Sequence, residues 1–196
     1  MQSDWGFSAL IQVEKRDILF DTGADGRILL SNMKNLKVNP KEIKNVFISH
    51  PHWDHTGGLS SFLKVNNKVK LWIPSYLPEA KNARKIIEVK KPTKLYEGIY
   101  STGKLDGIEQ SLCVETEKGI VTIVGCSHPR MEHILQVASQ FGKVYGIIGG
   151  LHGTSPESLK ELDLICPTHC TQYKLQIRSL YPEKYIEGGA GKIIEI

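Results

Sequence analysis

The sequence predicts a mixed α/β domain with a helix-covered sheet, and three observations carry that expectation. Short β-branched runs alternate with longer amphipathic stretches along the whole chain. The runs come partly in hairpin series, which pair antiparallel, and partly singly between helical patterns, which build parallel pairs. No linker, low-complexity segment or internal repeat divides the 196 residues, so they are read as one domain, 1–196.

Composition agrees with a globular domain. Apolar residues make up 40% of the chain, and 25 Lys and Arg stand against 21 Asp and Glu, a net charge of +4. These values exclude a disordered chain, a collagen-like fibre and a coiled coil, and so small a charge does not by itself mark a nucleic-acid binder. The longest apolar runs, such as Ile28–Leu30 and Gly119–Val124, are far shorter than the about 20 residues of a bilayer span. No basic cluster precedes an apolar stretch near Met1–Gly6, so no signal peptide is expected and the predicted location is cytoplasmic. Four Cys (Cys113, Cys126, Cys166, Cys170) in that setting do not suggest a disulfide scaffold.

In order along the chain, Ser8–Val13 and Asp17–Phe20 read as strands joined at Glu14-Lys15-Arg16, and Asn45–Ser49 as a buried strand. A helix is expected over Gly57–Lys64, with Asp54 or Thr56 as its cap. Val69–Ile73 reads as a strand and Ala80–Glu88 as a helix closed off by Pro92. Leu95–Val124 holds three or four strands punctuated by Gly103, Gly107 and Gly119. Met131–Phe141 places Met131, Ile134, Leu135 and Ala138 on one helical stripe. Val144–Ile148 is a buried strand, Pro156–Leu162 a helix opened by Ser155, and Leu164–Cys166 a strand. Tyr173, Ile177 and Leu180 mark a last helix, and Lys192–Ile196 a last strand.

The chemistry lies in the histidines. Residues 50–55 read His-Pro-His-Trp-Asp-His. With seven His and seven Asp in the chain, chance produces that pattern on the order of three times in ten thousand. His50 and His52 follow a strand, where an i, i+2 pair points to one side. Asp54 and His55 fall where the chain turns into a helix and can reach the same pocket from another side. Four donors within six residues can serve two adjacent metal ions, whereas a structural zinc draws fewer ligands from one segment and usually includes Cys. His128, His152 and His169 each follow a predicted strand, where sheet proteins carry active-site loops. His133 alone sits inside a helix, off its apolar stripe, and reads as a surface residue.

His50-Pro-His52-Trp-Asp54-His55-Thr-Gly-Gly resembles the signature of the metallo-β-lactamase superfamily. Ile18-Leu-Phe-Asp21-Thr-Gly is similar to its upstream strand and buried Asp, and Gly125-Cys-Ser-His128 to its third metal motif. Cys126-Ser-His128, Gly149-Gly-Leu-His152 and His169-Cys-Thr further resemble the branch that includes the dihydropterin ribofuranosylaminobenzene 5′-phosphate synthase of methanopterin biosynthesis. The resemblance implies a four-layer αβ/βα sandwich with a dinuclear site at the strand ends. Related proteins generally have another strand before Trp5-Gly-Phe-Ser, so a compact version lacking an N-terminal edge strand is expected. Its exposed edge is a place for a partner, a second copy of the chain included.

The resemblance also implies a ligand set. His50, His52 and His128 would bind one ion, and Asp54, His55 and His169 the other. Asp21 would orient a ligand from behind through a hydrogen bond. The slot 24 residues beyond His128, where many members carry a bridging Asp or a Cys, holds His152, which cannot bridge as a carboxylate does. His152 is expected to face the substrate or assist proton transfer, with a metal ligand or a backbone-bonded core residue as the other possibilities. Two divalent ions make hydroxide available near neutral pH and polarise the attacked oxygen, with Asp54 orienting the nucleophile or passing a proton to the leaving group. The N/O donor set suits zinc, with manganese and iron as alternatives.

The expected function is therefore a metal-dependent hydrolase acting on a phosphoester or a small ester or lactone. Arg130, two residues past His128, is a candidate for holding an anionic or phosphorylated small substrate. The alternative is a methanopterin-pathway-type synthase that uses the same metals to activate a diphosphate leaving group. A metal-binding protein without hydrolytic activity is a further possibility. Two further resemblances are weaker. Asp21-Thr-Gly with Ile147-Ile-Gly-Gly resembles a retroviral-type aspartic protease, but leaves six placed His unexplained. The basic run Lys81, Arg84, Lys85, Lys90, Lys91 and Lys94 would suit a nuclease, yet lacks interleaved aromatics and reads first as a solvated face. Cys166 and Cys170 are expected to pack beside a strand, the alternative being a structural zinc site with Cys126 or His128.

Overall fold

The computed structural model describes residues 1–14 and 16–196, so the joint expected at Glu14-Lys15-Arg16 lies partly outside the described residues. They divide into two compact units, Met1–Val89 and Lys90–Ile196, each built on its own sheet.

In the first unit β1 (Ala9–Val13) and β2 (Arg16–Phe20) pair antiparallel, with Ala9 opposite Phe20. β2 is followed across the sheet by β3 (Asn45–Phe47), β4 (Lys70–Ile73) and β5 (Lys85–Glu88), all parallel. Parallel neighbours need a crossover. α1 (Gly26–Asn35) supplies it between β2 and β3, and α2 (Trp53–Thr56) with α3 (Leu59–Val65) between β3 and β4. Leu29 and Met33 of α1 and Leu59, Phe62 and Leu63 of α3 pack on Leu19, Val46 and Leu71 in one buried cluster. Phe20 and Phe47 are buried too, stacked at 5.4 Å. Uninterrupted burial of Ile18-Leu19-Phe20 and Val46-Phe47-Ile48 is what parallel strands covered on both faces require.

The predicted elements do not include α1. Its signals are Asp25, whose carboxylate accepts from the Arg27 N–H at 2.7 Å, and the buried positions Leu29 and Met33. The helix expected over Gly57–Lys64 begins earlier, at Trp53, so Asp54 and Thr56 lie inside α2 and do not cap α3. It breaks at Gly57-Gly58 because both positions lie against the backbone after β2. A Cβ at Gly57 would stand 2.1 Å from the Ala24 carbonyl oxygen, and one at Gly58 2.2 Å from that of Thr22. The helix expected over Ala80–Glu88 is a 3₁₀ turn, Pro78–Asn82, followed by β5. There Ile86 and Ile87 find ladder partners in Leu71 and Trp72, so tertiary pairing wins over the helical pattern.

In the second unit β6 (Thr93–Tyr96), β7 (Ile99–Ser101), β8 (Leu112–Thr116) and β9 (Gly119–Val124) form an antiparallel meander. β10 (Val144–Gly150) and β11 (Leu164–Thr168) then add in parallel on the far side of β9. The crossovers are α4 (Met131–Ala138) and a 3₁₀ turn, Pro156–Leu159, that is shorter than the expected helix; α5 (Lys174–Leu180) follows β11. Met131, Ile134 and Val137 of α4 pack with Val124, Ile147, Leu151 and Ile165. Lys192–Ile196 is not a strand: it has no ladder partner and is largely exposed. No helix among the described residues is long and apolar enough to cross a membrane.

Candidate metal centre

In both units the chemistry-bearing residues sit where parallel strands end. In the first unit, Asp21 follows β2 and Ser49 and His50 follow β3, its parallel neighbour. Asp21 is fully buried. Its Oδ1 accepts the Ser49 N–H at 2.7 Å, and its Oδ2 accepts both the Ser49 hydroxyl and His55 Nδ1 at 2.7 Å. Because the Ser49 hydroxyl spends its proton on Asp21, its oxygen is the acceptor in the 2.9 Å contact with His50 Nδ1. One carboxylate thus fixes two imidazoles as Nδ1–H tautomers, His55 directly and His50 through Ser49. Nε2 is then the lone-pair nitrogen on both rings, the state a metal ligand needs.

The remaining donors of this segment gather around them. The His50 ring centroid lies 4.6 Å from that of His52 and 4.1 Å from that of His55. His50 and His55 are fully buried, Asp54 nearly so, and His52 is exposed. Asp54 Oδ2 accepts the indole N–H of Trp5 at 3.1 Å and lies 3.8 Å from His55 Nε2. The sequence reading thus placed Asp21, His50, His52, Asp54 and His55 in one neighbourhood, and the structure brings them together. It did not single out Ser49 or Trp5. With both its oxygens engaged by Ser49 and His55, Asp21 is not the shared-proton acid of a protease.

In the second unit His128, His152 and His169 follow β9, β10 and β11, three adjacent parallel strands. The His128 and His152 rings are 5.1 Å apart. His152 is exposed, which removes the reading of a core histidine. It lines an open cleft of about 340 Å³ with Ser127, His128, Arg130 and Thr154 among others. Arg130 is exposed at the start of α4. His133 stands away from these, with its Nδ1 3.0 Å from Asp106 Oδ1.

The loop carrying His128 is held by a residue the sequence reading missed. Glu109 is fully buried. Its Oε1 accepts the N–H groups of Gly125, Cys126 and Ser127 at 2.9, 3.0 and 3.2 Å, and its Oε2 accepts that of His128 at 2.9 Å. No local signal marks it, since its partners lie 16 to 19 residues further on. Cys126 sits inside this loop, 3% exposed. Its sulfur lies within 4.8 Å of a ring nitrogen of His128 and within 4.8 Å of one of His169. Cys113 and Cys166 are packed instead, and burial pushes their thiols up to about 12 and about 11.

Backbone strain collects at the same places. Among the non-glycine residues with positive φ are Asp21 (51°), Ser127 (58°), His152 (44°) and His169 (43°), all just past strand ends. Left-handed backbone costs such residues about 1–2 kcal/mol each. The hydrogen bonds from Ser49 and His55 to Asp21, and from Ser127 Oγ to the Gly150 carbonyl oxygen at 2.9 Å, hold two of them in place. The donor chemistry, imidazole nitrogens with orienting partners beside a carboxylate, fits divalent metal ions.

Comparison with known proteins agrees. Residues 6–129 match the sequence profile of the metallo-beta-lactamase superfamily, a stretch reaching from the first unit into the second, and the chain belongs to that superfamily. It is 30% identical to the 7,8-dihydropterin-6-methyl-4-(beta-D-ribofuranosyl)-aminobenzene-5'-phosphate synthase of Methanocaldococcus jannaschii, over 98% of this chain and 90% of that one. A second protein of that organism, the uncharacterised MJ0448, is 26% identical over 97% and 93%. Among solved structures, Tm1679, a metal-dependent hydrolase of the β-lactamase superfamily, has a TM-score of 0.79 at 23% identity, covering 100% of this chain and 93% of that one. YhfI from Bacillus subtilis, a metallo-β-lactamase fold protein, has a TM-score of 0.71 at 12% identity, covering 98% and 92%. The fold is accordingly of the metallo-β-lactamase kind, mixed α/β with two sheets, as the resemblance implied.

Proposed function

We propose that the protein is a metal-dependent hydrolase whose two donor sets act together on two divalent ions. The observation that carries this is the pair His50 and His55, locked by one buried carboxylate into the tautomer that ligates through Nε2. Metal-ligating imidazoles almost always have their other ring N–H held by such a partner. His50, His52 and His128 would hold one ion, and Asp54, His55 and His169 the other. When bound, the ions lower the pKa of water toward neutrality and polarise the oxygen under attack. Zinc suits this imidazole-rich set best, with manganese and iron as alternatives.

The protein's own groups do the rest. Asp54, its Oδ2 tethered by Trp5, orients the nucleophile and passes its proton toward the leaving group. His152 and Arg130, both exposed on the cleft beside His128, face the substrate. A cation at that position favours an anionic or phosphorylated small molecule. The test is metal content beside a panel of phosphoesters, esters and lactones. Two equivalents of metal and chelator-sensitive hydrolysis are expected, and unchanged metal content in His50→Ala and His128→Ala would sink the reading.

The 30% identity to a synthase favours a second reading, condensation in place of hydrolysis. That alignment spans 267 positions but takes in 98% of a chain of 196 residues, so about 75 of them lie in segments this chain lacks. Segments gained or lost between relatives are mostly loops, and loops carry specificity, so the synthase substrate does not transfer without a test. Incubation with a dihydropterin diphosphate and an aminobenzene ribofuranosyl phosphate separates the two: a condensation product supports the synthase, hydrolysis alone the hydrolase.

A further inference from the structure

We propose that Cys126 is a metal ligand, a thiolate that bridges the two ions. The proposal rests on the dinuclear reading above and adds to it a donor that the sequence offered only as a possible partner in a separate structural zinc site. Its geometry comes from the second unit alone. The Cys126 sulfur is within 4.8 Å of a ring nitrogen of His128 and, separately, within 4.8 Å of one of His169. His128 belongs to the ligand set of the first ion and His169 to that of the second. A donor atom within reach of one ligand from each set is placed to serve both ions.

Two further observations point the same way. Cys126 is held rigidly: its N–H is bound by Glu109 at 3.0 Å, and its carbonyl oxygen accepts the Cys170 thiol at 3.8 Å. The adjoining Ser127 takes a left-handed φ of 58°, a cost that rigid placement of this loop explains. Apart from Asp54, the proposed donor set is neutral imidazole. His152 occupies the slot where many members of the superfamily place a bridging Asp or Cys, and it is exposed. Two dications repel unless an anion stands between them, and a thiolate meets that need where a neutral imidazole does not. On metal binding the thiol would release its proton to solvent and the sulfur would form a bond to each ion, with no change of oxidation state. A sulfur donor shifts preference toward zinc or iron and away from manganese.

Cobalt(II) titration of the metal-free protein tests this. A sulfur-to-cobalt charge-transfer band in the near ultraviolet is expected to grow through both equivalents. It should vanish in Cys126→Ser and persist in Cys113→Ser, Cys166→Ser and Cys170→Ser. Cys126→Ser should also weaken the second equivalent by more than about tenfold. A band that saturates at one equivalent makes the sulfur a terminal ligand and overturns the bridge. Two bound cobalt ions with no such band, or a band that survives Cys126→Ser, removes the thiolate and leaves the dinuclear reading standing. Failure to bind cobalt at all defeats both. Where Cys126→Ser does not fold, growth of the wild-type band through both equivalents still tests the bridge, and its persistence in Cys113→Ser, Cys166→Ser and Cys170→Ser assigns the sulfur to Cys126 by elimination.

Discussion

Two buried carboxylates, one in each unit, do the same job by different routes. Asp21 sets the side-chain tautomers of His50 and His55, and Glu109 ties down the backbone that carries His128. Neither carboxylate reaches its partners locally, which is why the ligands stand out in the sequence and much of their support does not. His50, His52, Asp54 and His55 advertise themselves by crowding into six residues, and Asp21 through a motif. Ser49 and Glu109 have no pattern of their own, because their meaning comes from loops 16 to 28 residues away. Glu109→Gln keeps one acceptor oxygen and turns an amide N–H₂ toward backbone donors. If the amide oxygen keeps the bonds to residues 125–127, the His128 N–H loses its acceptor. Urea unfolding should show a loss of about 2–4 kcal/mol, the cost of a buried hydrogen bond to charge replaced by facing donors. A change under about 0.5 kcal/mol would mean that the loop keeps its shape without the carboxylate.

At the scale of elements, strand ends and close approaches decide where loops can go. β9 and β10 run so near each other at their C-terminal ends that a Cβ on Gly149 would lie 2.0 Å from the Val124 carbonyl oxygen, and the φ there is 132°. Gly149→Ala should therefore cost more than about 3 kcal/mol and yield little folded protein, since both the backbone angle and the space exclude a methyl. A soluble variant with wild-type thermal stability would contradict this. The strand cores were readable from periodicity. The region around Pro78–Glu88 was not, because β5 exists by pairing with β4, and α1 was hidden behind a weak apolar stripe. Between β8 and β9, burial among Ile120 and Ala138 holds the Cys113 thiol protonated up to about 12. The folded pKa lies above the unfolded value near 9, so the unfolded chain loses this proton first. Stability should fall with rising pH between about 9 and 12, by up to about 1.4 kcal/mol per unit from this one group. Comparing urea midpoints from pH 8 to 10.5, Cys113→Ala should show a shallower alkaline slope; identical slopes would contradict the assignment.

For the whole molecule, the question is whether donors from two compact units serve common ions. The first unit contributes His50, His52, Asp54 and His55, and the second His128 and His169. Pairwise substitution answers it without any assumption about how the units are arranged. If His50 and His128 hold the same ion, His50→Ala and His128→Ala each release one equivalent, and the double variant releases no more than either alone. The same holds for His55→Ala with His169→Ala. Crossing the sets, His50→Ala with His169→Ala should release both equivalents, because those residues hold different ions. Non-additivity within a set and additivity between sets is the signature of shared ligands. If instead each unit held its own ion, His50→Ala with His128→Ala would release two equivalents and His50→Ala with His55→Ala only one. Metal analysis after gel filtration reads all of these outcomes, and each variant's thermal transition in excess chelator checks that its fold survives. The two assignments differ for His50 with His128, His55 with His169 and His50 with His55, while His50 with His169 releases both equivalents under either, so one set of variants decides between a composite centre and two separate ones.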